Sequence, residues 1–243
     1  MADLKDKRVV IIGGSSGIGL DIAKLVLAKG AKVHLAGRHS DRLATARVGL
    51  EGEFFDVEVK TDCIDAHDFV ALENWFSTLD GFDYLVSMVG DVMGGGFIGA
   101  SIDTIRHVME SKFLTNVRIG QLAAEKITQG GAIIFTSGTG GRAQDACASY
   151  VGNLGINALV EGLAVELAPN ARVNAVSPTW TLTTFWRDMP TTQVTEIKTH
   201  FEQTIPLGRT ATVRELASTY VYLMENDFIT GQHIAVDGGI MLG

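Results

Sequence analysis

The sequence contains little cysteine and little proline. Its two cysteines, Cys63 and Cys147, stand far apart and form no CxxC pair, so neither a disulfide framework nor a zinc site is expected. The four prolines all follow residue 168, which leaves no proline-rich hinge between domains. We therefore predict one domain over residues 1–243. Since the six histidines show no metal-ligand spacing either, we predict no metal centre.

An excess of positive charge is also missing. Lys plus Arg number 20 against 28 Asp plus Glu, which gives a net charge of −8. Nucleic acids and anionic membranes need net attraction to phosphate, so neither is an expected partner. No stretch approaches the ~20 apolar residues of a membrane helix, and the first residues hold too short an apolar run for a signal peptide. We therefore expect a soluble, cytoplasmic protein.

Short apolar runs alternate with longer amphipathic stretches along the whole chain. Hydrophobic residues make up 46% of the sequence, enough for a sizeable core. Apolar strands separated by helices are typical of a parallel sheet covered on both faces, and right-handed crossovers make it doubly wound. We predict an α/β domain with about seven strands, helices on both faces, and an insertion at about residues 184–206. The predicted strands are Arg8–Ile12, Lys32–Ala36, Phe54–Lys60, Tyr84–Ser87, Ala132–Thr136, Arg172–Val176 and His233–Val236.

The first strand runs directly into a glycine-rich turn, GGSSGIG, and a helical pattern follows. Glycines allow a tight turn and let backbone N–H groups approach a pyrophosphate, while the helix N-terminus adds partial positive charge. The spacing is GxxxGxG rather than the common GxGxxG, and a purely structural turn is the alternative. The predicted cofactor-binding residues in this turn are Gly13, Ser15, Ser16, Gly17, Ile18 and Gly19.

The end of the second strand reads LAGRHS and carries no acidic residue. An acidic side chain there would bind the adenosine ribose hydroxyls and favour NAD. Arg38 stands there instead, and a guanidinium suits a 2′-phosphate, so we expect NADP(H); a solvated surface charge is the alternative. Asp62 follows the third predicted strand and could reach the adenine.

Several further motifs together resemble those of the classical short-chain dehydrogenases/reductases, over essentially the whole chain. They are Ser137 and Tyr150 at their separation of 13 residues, RVNAVSP, PLGR and ITGQHIAVDGG. The resemblance implies a single Rossmann-type domain, a nicotinamide cofactor, hydride transfer to or from a carbonyl carbon, and a homo-tetramer or homo-dimer.

The resemblance also implies roles for individual residues. Ser137 would polarise the carbonyl, and Tyr150 would donate or accept the proton. Thr183 would contact the nicotinamide amide, with Gly90 and Pro178 also beside the cofactor. The alternative for Ser137 and Tyr150 is that they are ordinary polar residues at a strand end and a helix start.

Four positions depart from the family pattern. Ile12 replaces the usual Thr before the glycine turn, and SMVG (residues 87–90) replaces NNAG. The helix Asn of the family falls on Lys112 by register, although a competing register would use Asn116. Leu154 replaces the lysine four residues after Tyr150, and we expect Leu154 to pack.

The missing lysine favours one direction of reaction. In the family it binds the nicotinamide ribose, and a cation about 4 Å from a phenolate stabilises it by about 4 kcal/mol at an effective dielectric of ~20. Oxidation needs a phenolate, whereas reduction needs a protonated donor, so the sequence favours a reductase. We predict that Lys112 is catalytic and supplies the charge from the neighbouring helix; an exposed or paired surface lysine is the alternative.

The substrate is expected to be apolar or aromatic. WTLTTFWRDM (residues 180–189) is rich in large apolar side chains, which suit such a ligand or an oligomer contact. Arg142 could bind a substrate acid or be a surface charge. The predicted substrate-binding residues are Met93, Trp180, Phe185, Trp186 and Met189.

Three functions fit these features. The first is an NADPH-dependent reductase of a ketone or C=N group in an apolar small molecule, and the second is a non-catalytic cofactor-binding homologue that acts as a sensor or scaffold. The third is a lyase of the halohydrin dehalogenase type, which the retained glycine turn disfavours.

Overall fold

The computed structural model describes residues 2–139 and 146–242. Arg142 lies outside these residues. Within them the chain forms a seven-stranded parallel sheet in the order β3-β2-β1-β4-β5-β6-β7. The strands are β1 Arg8–Ile12, β2 Lys32–Gly37, β3 Val59–Cys63, β4 Phe82–Ser87, β5 Ile127–Thr136, β6 Ala171–Pro178 and β7 His233–Val236.

Helices cover both faces of the sheet. The α-helices in the described part are α1 Gly17–Leu27, α2 Ser40–Glu53, α3 Phe69–Thr78, α4 Ile102–Met109, α5 Thr115–Ala124, α6 Ala148–Leu167, α7 Thr191–Thr204 and α8 Val213–Glu225. A π-helical turn, Glu110–Leu114, joins α4 to α5. None of these helices has the length and apolarity that crossing a bilayer requires.

The core has two layers, one on each face of the sheet. Side chains of β1 alternate between them: Val9 and Ile11 belong to the layer under α1 and α8, while Val10 and Ile12 belong to the layer under α3, α5 and α6. All four are at most 3% exposed. Burial on both faces is the reason that the strands read as continuous apolar runs. The predicted doubly wound single sheet is therefore confirmed.

One predicted strand is wrong. The third strand was expected at Phe54–Lys60, but it runs over Val59–Cys63. Phe54 ends α2, whose last backbone bond it completes by donating to the Leu50 carbonyl, and Phe55 is 95% exposed. The apolar letters before the strand therefore belong to a helix end and a surface turn.

The sheet topology brings the predicted site residues to one edge. The strand order reverses between β1 and β4, and ligands of open parallel sheets bind at the carboxyl ends of the strands at such a point. The glycine turn follows β1, SMVG ends β4, Ser137 follows β5, and Pro178 ends β6. The segment of residues 184–206 forms a short 3₁₀ turn and α7 beside the same edge.

Candidate active site

The glycine turn is a cradle that side chains would fill. Gly13 has φ +90°, and a Cβ there would lie 2.8 Å from Cβ of Met88. A Cβ on Gly19 would lie 2.4 Å from the Gly13 carbonyl oxygen. The N-cap residue Ser16 makes no side-chain capping bond to α1, so the first N–H groups of this helix remain available to an anion.

The segment after β6 covers this cradle. A Cβ on Gly17 would lie 3.6 Å from both Thr183 and Thr184, and Thr183 accepts a hydrogen bond from the Phe185 amide. The Arg187 guanidinium donates to Ser16 Oγ at 3.3 Å. Arg187 was not predicted; its signal in the sequence is that it is the one basic residue of residues 180–189.

Two charged side chains lie at the carboxyl ends of β2 and β3, where the adenosine of a dinucleotide would bind: a cation without a partner in the described chain and a carboxylate held by hydrogen bonds. Arg38 is exposed, and its guanidinium forms no hydrogen bond or ion pair with the described residues. Asp62 Oδ2 accepts from His34 Nε2 at 2.7 Å and from Trp75 Nε1 at 2.8 Å. These bonds fix one carboxylate oxygen on the sheet and leave the other for a ligand amine. The residues present therefore fit a nicotinamide dinucleotide, with Ser15 and Ile18 in the turn itself.

A buried amide connects β4 to the neighbouring helix. Ser87 Oγ donates to Asn116 Oδ1 at 2.6 Å, and Asn116 Nδ2 donates to the carbonyl oxygens of Val89 at 3.0 Å and Lys112 at 2.6 Å. Ser87 and Asn116 are at most 1% exposed. Asn116 thus supplies an amide beside SMVG, which lacks one. Both residues that the sequence offered for the family's helix Asn, Lys112 and Asn116, therefore face the site.

Lys112 lies in the π-helical turn and points toward α6 rather than β4. It is only 6% exposed. A Cβ on Gly90 would lie 3.1 Å from its Cγ, and one on Gly152 would lie 2.8 Å from its Cδ. Burial lowers the pKa of Lys112 from 10.5 to about 8, against the opposing influence of Asp91 and Cys147. Its ammonium makes no hydrogen bond with any residue in 2–139 or 146–242.

Ser137 is buried against α6. Its amide donates to the Val176 carbonyl at 2.9 Å, and its hydroxyl lies 3.1 Å from the Asn153 carbonyl oxygen and 2.8 Å from Asn157 Oδ1. A hydroxyl has one proton and donates to one acceptor at a time. Ser137 is therefore held by the helix, and polarising a carbonyl would require its hydroxyl to turn away.

The first turns of α6 present Ser149 and Asn153 to the site. Ser149 Oγ accepts from the Met93 amide at 2.7 Å. Asn153 is 8% exposed, and its Nδ2 lies 2.7 Å from where a Cβ on Gly138 would be. By contrast, Leu154 is 48% exposed, so the expectation that it packs is wrong within this chain.

Tyr150 is half-buried and its hydroxyl makes no hydrogen bond with the described residues. On a helix Tyr150 and Leu154 share one side, and Ser149 and Asn153 share the side about 100° away. The buried positions of α6, which include Asn153, Ile156 and Val160, decide which side faces inward. Leu154, four positions after the tyrosine, therefore does not face the end of β5, whereas Asn153 does.

Five buried polar atoms at this edge have no hydrogen-bond partner among residues 2–139 and 146–242. They are Thr139 Oγ1, Asn153 Oδ1, Ser177 Oγ, Thr179 Oγ1 and Trp180 Nε1. The Thr139 amide donates to the Pro178 carbonyl, which draws β5 and β6 together here. Since buried polar atoms are nearly always paired in a folded protein, these atoms are available to bind a ligand.

Stacked aromatic rings form the substrate side. Trp180 stacks on Trp186 at 5.8 Å and on Phe201 of α7 at 5.7 Å, and Phe185 meets Trp186 edge-on at 4.9 Å. Trp186 Nε1 donates to the Thr181 carbonyl at 3.0 Å. Phe201 was not predicted, because nothing in the sequence of α7 indicates that it returns to this stack.

The two predicted methionines lie at the edges of this region. The Met93 loop is held on α6 by Ser149 and by Cys147, whose thiol donates to the Met93 carbonyl at 3.6 Å. The Met189 amide donates to the Trp186 carbonyl at 3.1 Å, which closes the turn after the stack. Both side chains are partly exposed.

Comparisons with known proteins bear on the family and the fold of this chain. Residues 13–241 match the family model described as Enoyl-(Acyl carrier protein) reductase. Short-chain dehydrogenase/reductase ATR9 of Stachybotrys chlorohalonatus (strain IBT 40285) is 30% identical over 259 residues, with 100% of both chains covered. Human 3-oxoacyl-[acyl-carrier-protein] reductase is 28% identical, with 98% of this chain and 99% of that protein covered.

Solved structures are similar over the same span. A small-chain dehydrogenase in complex with NADPH has 27% identity and a TM-score of 0.83, covering 98% of this chain and 100% of its own. A short-chain dehydrogenase/reductase of Serratia marcescens BCRC 10948 has 25% identity and a TM-score of 0.88, with 98% and 99% covered. The chain belongs to the short-chain dehydrogenase/reductase family of oxidoreductases.

Proposed function

We propose that this protein is an NADPH-dependent reductase that transfers hydride to a ketone or C=N carbon of an apolar or aromatic small molecule. One observation carries the proposal: the glycine cradle, a buried cation and an aromatic stack meet at one edge of the sheet. When bound, NADPH supplies the hydride. The residues of this chain bind and orient both partners and supply the proton.

The preference for NADPH rests on Arg38. The guanidinium is exposed at the end of β2, directly before α2, and makes no ion pair with the described residues. A 2′-phosphate would pair with it bidentately, and no carboxylate at this strand end would repel that phosphate. A structural relative has been described in complex with NADPH, which supports the same choice.

The reductive direction rests on the absence of a cation after Tyr150. Leu154 stands at that position, and because its side chain carries no charge it cannot stabilise a phenolate. It is also half exposed. Reduction needs a proton donor beside the reacting oxygen, and the Tyr150 hydroxyl and the Lys112 ammonium are the two candidates. Oxidation of an alcohol would need a base, and the neutral amine of Lys112, whose pKa is about 8, is its minor form at neutral pH.

The substrate class rests on the ring stack. Trp180, Trp186 and Phe201 present flat apolar surface at the edge of the sheet where buried polar atoms have no partner among the described residues. Such a combination fits a ligand with an aromatic body and one polar reacting group.

The test begins with cofactor binding. NADPH and NADH are titrated into the protein and cofactor fluorescence is followed, and Arg38→Ala is compared with Arg47→Ala. Arg47 is a matched control because it is also an exposed arginine, in α2, and its ion pair with Glu51 is loose, with 3.8 Å between Nε and Oε1. We expect Arg38→Ala to weaken NADPH by roughly tenfold or more without weakening NADH. Equal binding of both cofactors by the unaltered protein would contradict the NADPH preference.

Turnover is tested next. Aromatic ketones, diketones and cyclic imines are added to the NADPH complex, and the absorbance of the reduced cofactor is followed. Oxidation with any of them supports the reductase. Binding of NADPH without oxidation across the set would instead favour the non-catalytic cofactor-binding homologue.

The proposal includes a homo-dimer or homo-tetramer. Apolar side chains of α6 are exposed in the single chain, with Val151 at 40%, Leu154 at 48% and Val165 at 78%. A partner chain would cover them. Light scattering coupled to gel filtration gives the mass, and a monomer at micromolar concentration would rule this part out.

A further inference from the structure

Lys112 is a buried cation that has no partner in the described chain. It is 6% exposed, and its ammonium makes neither a hydrogen bond nor an ion pair with residues 2–139 and 146–242. An unpaired buried charge is costly. Such groups cluster at functional sites, where the chemistry uses them.

We propose that Lys112, rather than Tyr150, donates the proton to the substrate oxygen during carbonyl reduction. The proposal rests on the reductase function proposed above and names its proton donor. It differs from the sequence-based hypothesis, in which Lys112 only supplies charge to the tyrosine.

The stem of Lys112 runs through a slot made by two glycines. Cβ atoms at Gly90 and Gly152 would lie 3.1 Å from Cγ and 2.8 Å from Cδ. The slot therefore holds the methylene chain between the end of β4 and the first turns of α6. A side chain guided in this way delivers its ammonium to a defined place instead of sampling solvent.

The inward side of α6 supports the same assignment. Asn153 is 8% exposed, and its Oδ1 has no hydrogen-bond partner in the part of the chain that the structure describes. Ser149, on the same side, binds the Met93 loop. Tyr150 lies about 100° around the helix from Ser149, on the side of the half-exposed Leu154. The groups that meet the end of β5 are thus an amide and a hydroxyl, and neither is an acid at neutral pH.

The electrostatic surroundings of Lys112 suit a proton donor. Burial lowers the pKa of Lys112 to about 8, and Asp91 from the loop after β4 and Cys147 from the start of α6 act in the opposite direction. Asp91 forms no ion pair with Lys112 but pairs with His107 of α4 at 2.8 Å. A donor whose pKa is close to the working pH is protonated and still gives up its proton readily.

Carbonyl reduction here combines a hydride from the cofactor with a proton from Lys112. Hydride leaves NADPH and forms the new C–H bond at the carbonyl carbon, while the C=O π pair moves to oxygen. The oxygen takes a proton from the Lys112 ammonium, an alcohol forms, and the amine is left neutral with its nitrogen lone pair. NADPH is oxidised and the ketone reduced, and the amine regains a proton from water after product release.

The kinetic test compares three variants in the NADPH-bound protein with any ketone that is turned over. Lys112→Met removes the acid and keeps an unbranched apolar chain; Lys112→Arg keeps the charge but cannot give up a proton near neutral pH. Tyr150→Phe removes the phenol. Lys60→Met is the control, because Lys60 is an exposed lysine of β3 that pairs with Glu58 at 3.3 Å. Melting temperature and NADPH affinity verify that each variant folds.

We expect Lys112→Met and Lys112→Arg each to lower kcat by about 100-fold or more. In the unaltered protein kcat should fall as the pH rises past about 8, because the ammonium is the active form. That fall should persist in Tyr150→Phe and vanish in both Lys112 variants. Near-normal kcat in Lys112→Arg would overturn the proposal in favour of a purely electrostatic role. Loss of the pH dependence in Tyr150→Phe would overturn it in favour of the phenol.

A second measurement needs no substrate. In ¹⁵N-lysine-labelled protein saturated with NADPH, the Lys112 Nζ signal is assigned by its absence in Lys112→Met and followed between pH 6 and 10. We expect a titration near pH 8. An amine that is neutral throughout this range would overturn the proposal even if no ketone is turned over, whereas absence of turnover with a normal titration would count against the reductase function instead.

Discussion

A methyl group on Gly152 would lie 2.8 Å from Cδ of Lys112 and 3.3 Å from its Cβ and Cγ. The contact joins α6 to the π-helical turn at the point where the buried cation enters the site. Because three stem carbons are involved, a small rotation of the lysine end could not relieve it.

We therefore predict that Gly152→Ala displaces Lys112 and lowers kcat by roughly 10- to 100-fold, with NADPH affinity unchanged. Gly162→Ala is the matched control, because Gly162 lies on the same helix and a Cβ there meets nothing within 4 Å. That control should stabilise the protein by about 0.5–1 kcal/mol. Equal kcat values for the two variants would show that the stem position does not matter.

The buried lysine should cost stability at neutral pH. Its folded pKa is about 8, compared with 10.5 in an unfolded chain, so the unfolded state binds more protons between these values. Stability should consequently rise as the pH increases from 8 toward 10.5. Lys112→Met removes this cost, of the order of 3 kcal/mol at pH 7.

The measurement for Lys112 is urea unfolding of the unaltered protein and of Lys112→Met at several pH values. The variant should be the more stable protein at pH 7, and its advantage should shrink toward pH 10.5. A constant difference across this range would mean that the effect comes from packing and not from the charge.

Gly19 should be indispensable for the cofactor cradle. A Cβ there would sit 2.4 Å from the Gly13 carbonyl oxygen, so Gly19→Ala must push the turn and α1 apart. We expect NADPH fluorescence binding to be lost or weakened at least about 100-fold. Gly49→Ala on α2, where a Cβ meets nothing within 4 Å, should bind normally; if both variants bind alike, the cradle is not the cofactor site.

Asn116 should carry much of the connection between β4 and α5. Asn116→Ala would strand the Ser87 hydroxyl and the Val89 carbonyl in the interior, at a cost of about 2–4 kcal/mol in unfolding free energy. Asn226, whose side chain makes only exposed hydrogen bonds within the described chain, to the Tyr222 hydroxyl and from the Phe228 amide, serves as the comparison, and its replacement by Ala should cost less than about 1 kcal/mol. Denaturant midpoints for the two variants give the answer, and equal midpoints would contradict the bridging role.

Trp186 should discriminate between substrates rather than bind cofactor. Trp186→Leu removes the ring that stacks on Trp180 at 5.8 Å. KM for aromatic ketones should rise by roughly tenfold, whereas KM for small aliphatic ketones and the affinity for NADPH should change little. A uniform change in all three quantities would indicate that the stack supports the fold instead.

The sequence predicted those features in which a local pattern is sufficient. Apolar strand runs and the GGSSGIG turn follow from periodicity and from backbone freedom at Gly13 and Gly19. The third strand was misplaced because Phe54, Phe55, Val57 and Val59 form a short set of apolar residues like that of a strand, and whether such residues are buried depends on the whole chain.

The rotation of α6 lay outside sequence reasoning for a related reason. Spacing from Tyr150 selects position 154. The packing of Ile156 and Val160 on the sheet decides which side of the helix faces inward, and Asn153 lies on that side. Neither the π-helical turn at Glu110–Leu114 nor the return of Phe201 to the tryptophans leaves a mark on the hydrophobic pattern.

The π-helical turn lets one continuous helix contact two neighbouring elements, α6 and β4. Here the Thr115 amide bonds the Glu110 carbonyl five residues back, which adds a residue without adding a helical turn. On either side of this insertion, the Lys112 stem lies against Gly152 of α6, whereas Asn116 binds Ser87 of β4 and the Val89 carbonyl. Removing one residue from Glu110–Leu114 would restore a regular helix and bring these two side chains into competition for one direction, which makes the length of this short turn a determinant of the site's composition.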